Sequence, residues 1–249
     1  MSDNIVMGVD IGGTGIKGAP VDVEKGMLTD ERFRLLTPSP ANPTNVSDVV
    51  AQVVEHFDWK GPVGATFPAV VKNGVTMTAA NVNSKWVGTD AEKVLSERLG
   101  SPTTVLNDAD AAGIAEMRFG AGRDRKGVVL MITLGTGIGC GMFHDGVLIP
   151  NTELGHIEID GKDAELMAAD SARERKGLSW KKYAERVEKY LRRLDALLWP
   201  DLIILGGGAS KKADKLLPHV DVRPEVVAAT LLNEAGIVGA AIAAAEGRA

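Results

Sequence analysis

The chain has 249 residues, 45% of them hydrophobic and 24% charged, which suits one large or two modest soluble domains with a substantial core. A net charge of −5 excludes general electrostatic attraction to nucleic acid or an anionic membrane, so a polyanionic ligand would need a local basic groove. The single cysteine, Cys140, excludes an intramolecular disulfide and a cysteine-rich metal cluster. The first residues lack the basic start and apolar core of a signal peptide, and no apolar run is long enough to span a bilayer. A cytoplasmic protein is expected.

In chain order, residues 5–9 read as a buried strand entering a turn at Gly12-Gly13, with 16–23 as its hairpin partner. Val46, Val49, Val50, Val53, Val54 and Phe57 follow the rhythm of one helix face. Residues 63–67 read as a strand, and 70–77 as a hairpin around Asn73-Gly74. A helix through Val94, Leu95 and Leu99 precedes a strand at 103–106. The second half reopens in the same way, with a strand at 128–133, a turn at Gly135-Thr136-Gly137 and a return at 138–143. Asp145-Gly146 turns into 147–149, and a long helix from Trp180 to Leu198 is stopped by Pro200. Residues 202–205 form another buried strand ending in Gly206-Gly207-Gly208. Two halves that each open strand, glycine turn, strand suggest a duplicated α/β unit, joined in the helix after Leu106.

The segment Asp10-Ile11-Gly12-Gly13-Thr14-Gly15-Ile16-Lys17 can turn backbone N–H groups toward a phosphate, because glycine removes obstructing side chains. Thr14 adds a hydroxyl and Lys17 a point charge, while Asp10 stands where it could hold magnesium directly or through water. Gly135, Thr136 and Gly137 make a second such loop, and Gly207 and Gly208 a third. Any one of these is equally a bare turn; three, each directly after an apolar strand, favour phosphoryl chemistry. At Asn107-Asp108-Ala109-Asp110 the spacing allows helix capping and allows a carboxylate base that takes the proton of an attacking hydroxyl. Glu153 and His156, three apart, can share a face toward vicinal hydroxyls, although a lone histidine is often structural.

Taken in order, the glycine loops with Asp10, the Asn107-Asp108 pair and the Glu153-x-Gly-His156 segment resemble the ROK family of bacterial sugar kinases. The strings at 18–22, 66–71, 78–82 and 150–153 resemble its polyphosphate glucokinase branch. The resemblance implies an α/β actin-like ATPase fold, two ribonuclease H-like lobes around a cleft. It puts the smaller lobe at 1–108 and the larger at 109–249, with a last helix near 236–246 that could pack back on the first lobe. It implies Asp108 as catalytic base, with Asn81, Asn107, Glu153 and His156 on sugar hydroxyls and Trp86 on the sugar side. Asp10, Gly12, Gly13, Thr14 and Lys17 match the family's first phosphate motif, and Gly135, Thr136 and Gly137 the second. Where most of the family carries a cysteine zinc motif, residues 157–165 have no cysteine, so no structural zinc is expected. Glu165 is matched to the glutamate that reaches the sugar, with Glu158 as the alternative.

The expected activity is therefore transfer of a phosphoryl group to the 6-hydroxyl of glucose, with Mg2+ and with inorganic polyphosphate, ATP or both as donor. An ATP-dependent hexose kinase acting on glucose or mannose is the nearer alternative. A sugar-sensing regulator is the distant one, because Asp10 already lies in the first loop and leaves no room before it for a helix-turn-helix. Polyphosphate would need cations beyond the loops, for which Arg123, Arg125 and Lys126, or Lys211, Lys212 and Lys215, are candidates. The resemblance further implies a homodimer, and no nucleic-acid or membrane partner.

Overall fold

The computed structural model describes residues 4–79 and 82–247. The chain divides into two compact units, Met1–Ala115 together with Glu234–Ala249, and Glu116–Asn233. Among the described residues no helix is long and apolar enough to cross a membrane.

In the first unit, β1 (Ile5–Ile11) and β2 (Gly15–Asp22) form an antiparallel hairpin, extended by β3 (Met27–Leu28) and β4 (Phe33–Leu36), both paired to β2. Helix α1 (Pro43–Glu55) starts where the Asn42 side chain accepts from the Asn45 amide and Pro43 presets the first turn. Strand β5 (Val63–Phe67) runs parallel to β1, a small hairpin of β6 (Val71–Lys72) and β7 (Val75–Thr76) follows, and α2 (Ala91–Leu99) ends on left-handed Gly100. Strand β8 (Thr103–Asn107) runs parallel to β5 and leads directly into α3 (Asp108–Phe119). The sheet order is β3-β2-β1-β5-β8. Alternation along β1 sends Met7, Val9 and Ile11 into the core with Val46, Val50 and Val53 of α1. The opposite face is covered by the last helix, Ala235–Glu246, which comes very close. A Cβ built on Gly8 would lie 2.1 Å from the Ile237 carbonyl oxygen, and one on Gly64 1.8 Å from that of Ala240. Gly239 repeats the device on the other side of this helix, where a Cβ would meet the Ala111 carbonyl oxygen of α3 at 1.8 Å.

The second unit repeats the plan. Strands β9 (Val128–Leu134), β10 (Ile138–His144) and β11 (Val147–Ile149) form an antiparallel meander. After it come a 3-10 turn (Leu154–His156), the ribbon of β12 (Glu158–Ile159) and β13 (Lys162–Asp163), and two short helices, α4 (Glu165–Ala168) and α5 (Asp170–Arg175). Helix α6 (Trp180–Leu198) buries Tyr183, Val187, Tyr190, Leu191 and Leu194 against the sheet, and Trp199 closes it in the left-handed conformation just before Pro200. Strand β14 (Leu202–Gly206), short α7 (Ala213–Leu216) and β15 (Glu225–Ala228) complete the unit, and the last helix is α8. The order β11-β10-β9-β14-β15, with β9, β14 and β15 parallel, is the topology of the first sheet. The division between units falls inside α3, after Ala115.

Near that division lies Glu116, fully buried. Its carboxylate accepts from the amides of Thr230 (2.8 Å), Leu231 (2.7 Å) and Ala121 (2.8 Å), and from the Thr230 hydroxyl. Gly120 has no side chain because a Cβ would fall 2.0 Å from that carboxylate. One buried acid thus ties the end of α3 to the chain segment that returns toward α8.

Candidate active site

In each sheet the parallel strands deliver their carboxyl ends to one edge, which is where α/β folds place ligands. In the first unit β1 ends on Asp10 and turns at Gly12–Gly15, closed by the Gly12 amide donating to the Gly15 carbonyl at 3.0 Å. Thr14 and Gly13 are exposed at the tip. Asp10 is held twice: its Oδ1 accepts from the Thr66 hydroxyl at 2.9 Å and its Oδ2 lies 2.9 Å from Lys17 Nζ. The register places Arg34, Lys17, Asp10, Thr66 and Leu106 side by side across β4, β2, β1, β5 and β8. Gly236 of α8 stands against Asp10, where a Cβ would be 3.2 Å from Oδ2.

Two residues beyond Leu106, α3 begins. Asn107 caps it, its Oδ1 accepting from Ala109 N (2.8 Å) and Asp110 N (3.2 Å) while Nδ2 donates to the Ala69 carbonyl (3.1 Å). Asn107 is buried, and among the described residues one Nδ2 hydrogen is left for a further acceptor. With the cap supplied by asparagine, Asp108 is exposed in the first turn, one oxygen accepting from Ala109 N at 2.8 Å, while Asp110 is buried. Trp86 is fully buried, tilted against Phe67, its indole N–H donating to the Ala41 carbonyl. Asn81 lies outside the described residues.

In the second unit β9 and β14 run parallel, so the loops at Gly135–Gly137 and at Gly207-Gly208 leave the same sheet edge. Gly207, at φ +76°, passes so close to Leu134 that a Cβ would lie 2.6 Å from its carbonyl oxygen. Ser171 pins the second loop, its amide donating to Gly135 O (3.0 Å) and its hydroxyl to Thr136 O (2.7 Å). Glu165 leans over Gly137 and accepts from Ile138 N at 3.1 Å. Nearby, Asp163 holds His156 through Nδ1 at 3.1 Å, and Glu153 faces Nε2 at 3.7 Å. The Asp163 hydrogen bond raises the His156 pKa above its usual value, against partial burial. Glu158 is exposed on β12. Asp163, Ser171 and Arg34 had no motif around them to mark them in the sequence, and Thr66 lay in the string at 66–71 without a chemical role assigned to it. Of the two basic clusters, Arg125 is paired to Glu225 at 2.8 Å and Arg123 to Asp124 at 3.7 Å. Lys211, Lys212 and Lys215 are exposed beside the third glycine loop.

Among the described residues no group of three or more histidine, cysteine or acidic side chains could hold a metal. The Asp10 oxygens are already engaged by Lys17 and Thr66. That donor set fits a magnesium ion carried mainly by the phosphates of a donor and touched by the protein through water.

The pattern of the ROK family matches residues 6–177. A polyphosphate glucokinase of Mycobacterium tuberculosis is 51% identical over 237 residues, covering 95% of this chain and 89% of that one. The crystal structure of an inorganic polyphosphate/ATP-glucomannokinase from Arthrobacter sp. strain KM superposes with a TM-score of 0.95 at 52% identity, covering 98% and 99% of the two chains. A ROK family glucokinase from Streptomyces griseus, solved with glucose and AMPPNP, superposes at 0.84 with 25% identity over 98% of this chain and all of that one. The duplicated sheet order is that of the actin-like ATPase fold of these sugar kinases. With the family pattern running through both halves of the described sites, the chain belongs to the ROK family.

Proposed function

We propose that this chain is a polyphosphate-dependent glucokinase, phosphorylating the 6-hydroxyl of glucose with inorganic polyphosphate and also with ATP. The observation that carries the reading is about half identity, over nearly the whole chain, to relatives named for that activity. The local chemistry supports it. Asp108 is exposed in the first turn of α3, directly after the carboxyl end of β8, where its carboxylate can meet a hydroxyl. In this reading the oxygen of the 6-hydroxyl attacks the terminal phosphorus as Asp108 accepts its proton. The bond to the next phosphate breaks, and a donor shortened by one phosphoryl group departs. Asn107 offers its remaining amide hydrogen to the sugar, and Glu153, His156 and Glu165 hold other hydroxyls, as Asn81 would. The glycine-loop amides at 12–14, 135–137 and 207–208 offset charge on the phosphates. Magnesium borne by the donor would supply further charge neutralisation, with Asp10 holding it through water.

Lys211, Lys212 and Lys215 are the favoured cations for a long polyphosphate, because Arg123 and Arg125 are already paired with carboxylates. A cytoplasmic location and a homodimer belong to the same reading. A second reading extends the acceptor to mannose, on the strength of the 52% identical Arthrobacter glucomannokinase. The test is formation of hexose 6-phosphate by purified protein with magnesium, comparing glucose with mannose and nucleotide-free polyphosphate with ATP. Asp108→Ala should lower turnover about 10²–10⁴-fold while glucose still binds. Near-normal turnover in that variant would remove Asp108 from the mechanism.

A further inference from the structure

We infer that Arg34, rather than Lys17, supplies the net positive charge with which the Gly12–Gly15 hairpin holds the phosphate chain of the donor. The inference rests on the kinase reading above and assigns a residue to its donor site. Lys17 is the cation that the motif offers, but it sits 2.9 Å from Asp10, each about one-fifth exposed, so the pair is electrically neutral. Arg34 is directly opposite Lys17 in the β2–β4 register and therefore on the same face of the sheet. It is exposed, and among the described residues no carboxylate pairs with it.

Its position is built into the hairpin. Nη2 donates to the Thr14 carbonyl at 3.0 Å, which fixes the guanidinium against the loop. The Gly15 site is open for it: a Cβ there would lie 2.5 Å from Nε and from Nη2, and 2.7 Å from Cζ. Any other residue at position 15 would push the guanidinium away. Among the described residues only one of its five N–H groups is used, so the planar fork keeps donors for phosphate oxygens beside the exposed amides of Gly13 and Thr14. A fixed cation whose charge is not cancelled locally, next to a glycine hairpin, is what a polyanion requires in a chain of net charge −5.

The experiment uses the full chain with Arg34→Gln, Arg34→Lys and Gly15→Ala. It reads steady-state kinetics at saturating glucose and calorimetric titration with long-chain polyphosphate and with ATP. Arg34→Gln should raise the donor KM and weaken polyphosphate binding about 10- to 100-fold, with the glucose KM unchanged and the ionic-strength dependence reduced. Arg34→Lys should recover part of the loss. Gly15→Ala, which keeps the charge but displaces it, should reproduce a share of the Arg34→Gln defect. Unchanged polyphosphate affinity in Arg34→Gln would overturn the inference. So would a loss confined to kcat, equal with both donors and accompanied by a lower Tm, since that describes a brace for the hairpin and not a contact with the donor. Should the unaltered protein turn over neither donor, the kinase reading fails by itself. The titration then still decides whether Arg34 binds the phosphate chain.

Discussion

Replacing Gly64 by alanine tests whether α8 is seated on the first sheet as closely as described. The new Cβ would lie 1.8 Å from the Ala240 carbonyl oxygen, 2.3 Å from its carbon and 2.9 Å from the Ala241 nitrogen. All three are backbone atoms, so no rotamer change relieves the overlap. For the closest contact to reach an ordinary 3.4 Å, the helix must retreat by about 1.6 Å, drawing the fully buried Ile237, Val238, Ala240 and Ala241 with it. Overpacking of this kind costs about 1–3 kcal/mol, and a backbone clash belongs at the upper end. Alanine returns about 0.5–1 kcal/mol by restricting the unfolded chain, leaving a net loss of about 2 kcal/mol. At about 2–4 °C per kcal/mol for a chain of this size, Tm should fall by roughly 4–8 °C. Because Gly236 of the same helix stands against Asp10, phosphoryl transfer should fall as well. Thermal unfolding followed by circular dichroism is the assay. Gly135→Ala serves as control, since a Cβ there meets nothing within 4 Å. A Gly64→Ala protein melting with the unaltered chain, or a control that loses as much, would refute the reasoning.

Three further outcomes follow from single contacts. Glu116→Gln replaces one carboxylate oxygen by a carboxamide NH2 group facing amide donors, and should cost about 2–3 kcal/mol, seen as a lower denaturation midpoint with the same m-value. The Asp163 carboxylate raises the His156 pKa, so its contribution to stability is full below the ordinary histidine value and is lost as pH rises through the raised one. Asp163→Asn should therefore lower the pKa of His156 in an NMR titration and remove that pH dependence; an unmoved pKa would show that Asp163 does not govern the ring. Tyr190 is fully buried and, among the described residues, its hydroxyl has no hydrogen-bond partner. Tyr190→Phe should leave Tm unchanged or raise it by a few degrees, and a clear fall would mean that the hydroxyl is satisfied in solution.

The elements that were legible in the sequence are those whose information is local. Apolar runs ending in glycine marked β1, β9 and β14, Asn73-Gly74 and Asp145-Gly146 marked their hairpins, and Pro200 marked the end of α6. The three glycine loops and the order of Asp10, Asp108, Glu153 and His156 were likewise visible, because phosphoryl chemistry needs particular residue types at strand ends. The short strands β3, β4, β12 and β13 were missed, since two to four residues carry too little periodicity to register. The direction in which the Trp86 ring faces could not be read from the sequence; Phe67 and the Ala41 carbonyl draw it into the core.

By itself, then, the sequence determined the duplicated α/β plan, the loops and the class of chemistry, all of which follow from spacing along the chain. The tertiary structure decided which polar groups cancel one another and which remain available. Lys17 and Asp10 pair with each other, Arg34 arrives from a strand seventeen residues later in a space that Gly15 leaves, and Asn107 caps α3 with its side-chain oxygen. It decided too that α8 rests on Gly8 and Gly64 and meets α3 through its own Gly239, and that Glu116 is a buried tie and not a surface acid. These outcomes depend on distances between residues far apart in sequence, and a distance of that kind exists only once the chain has folded.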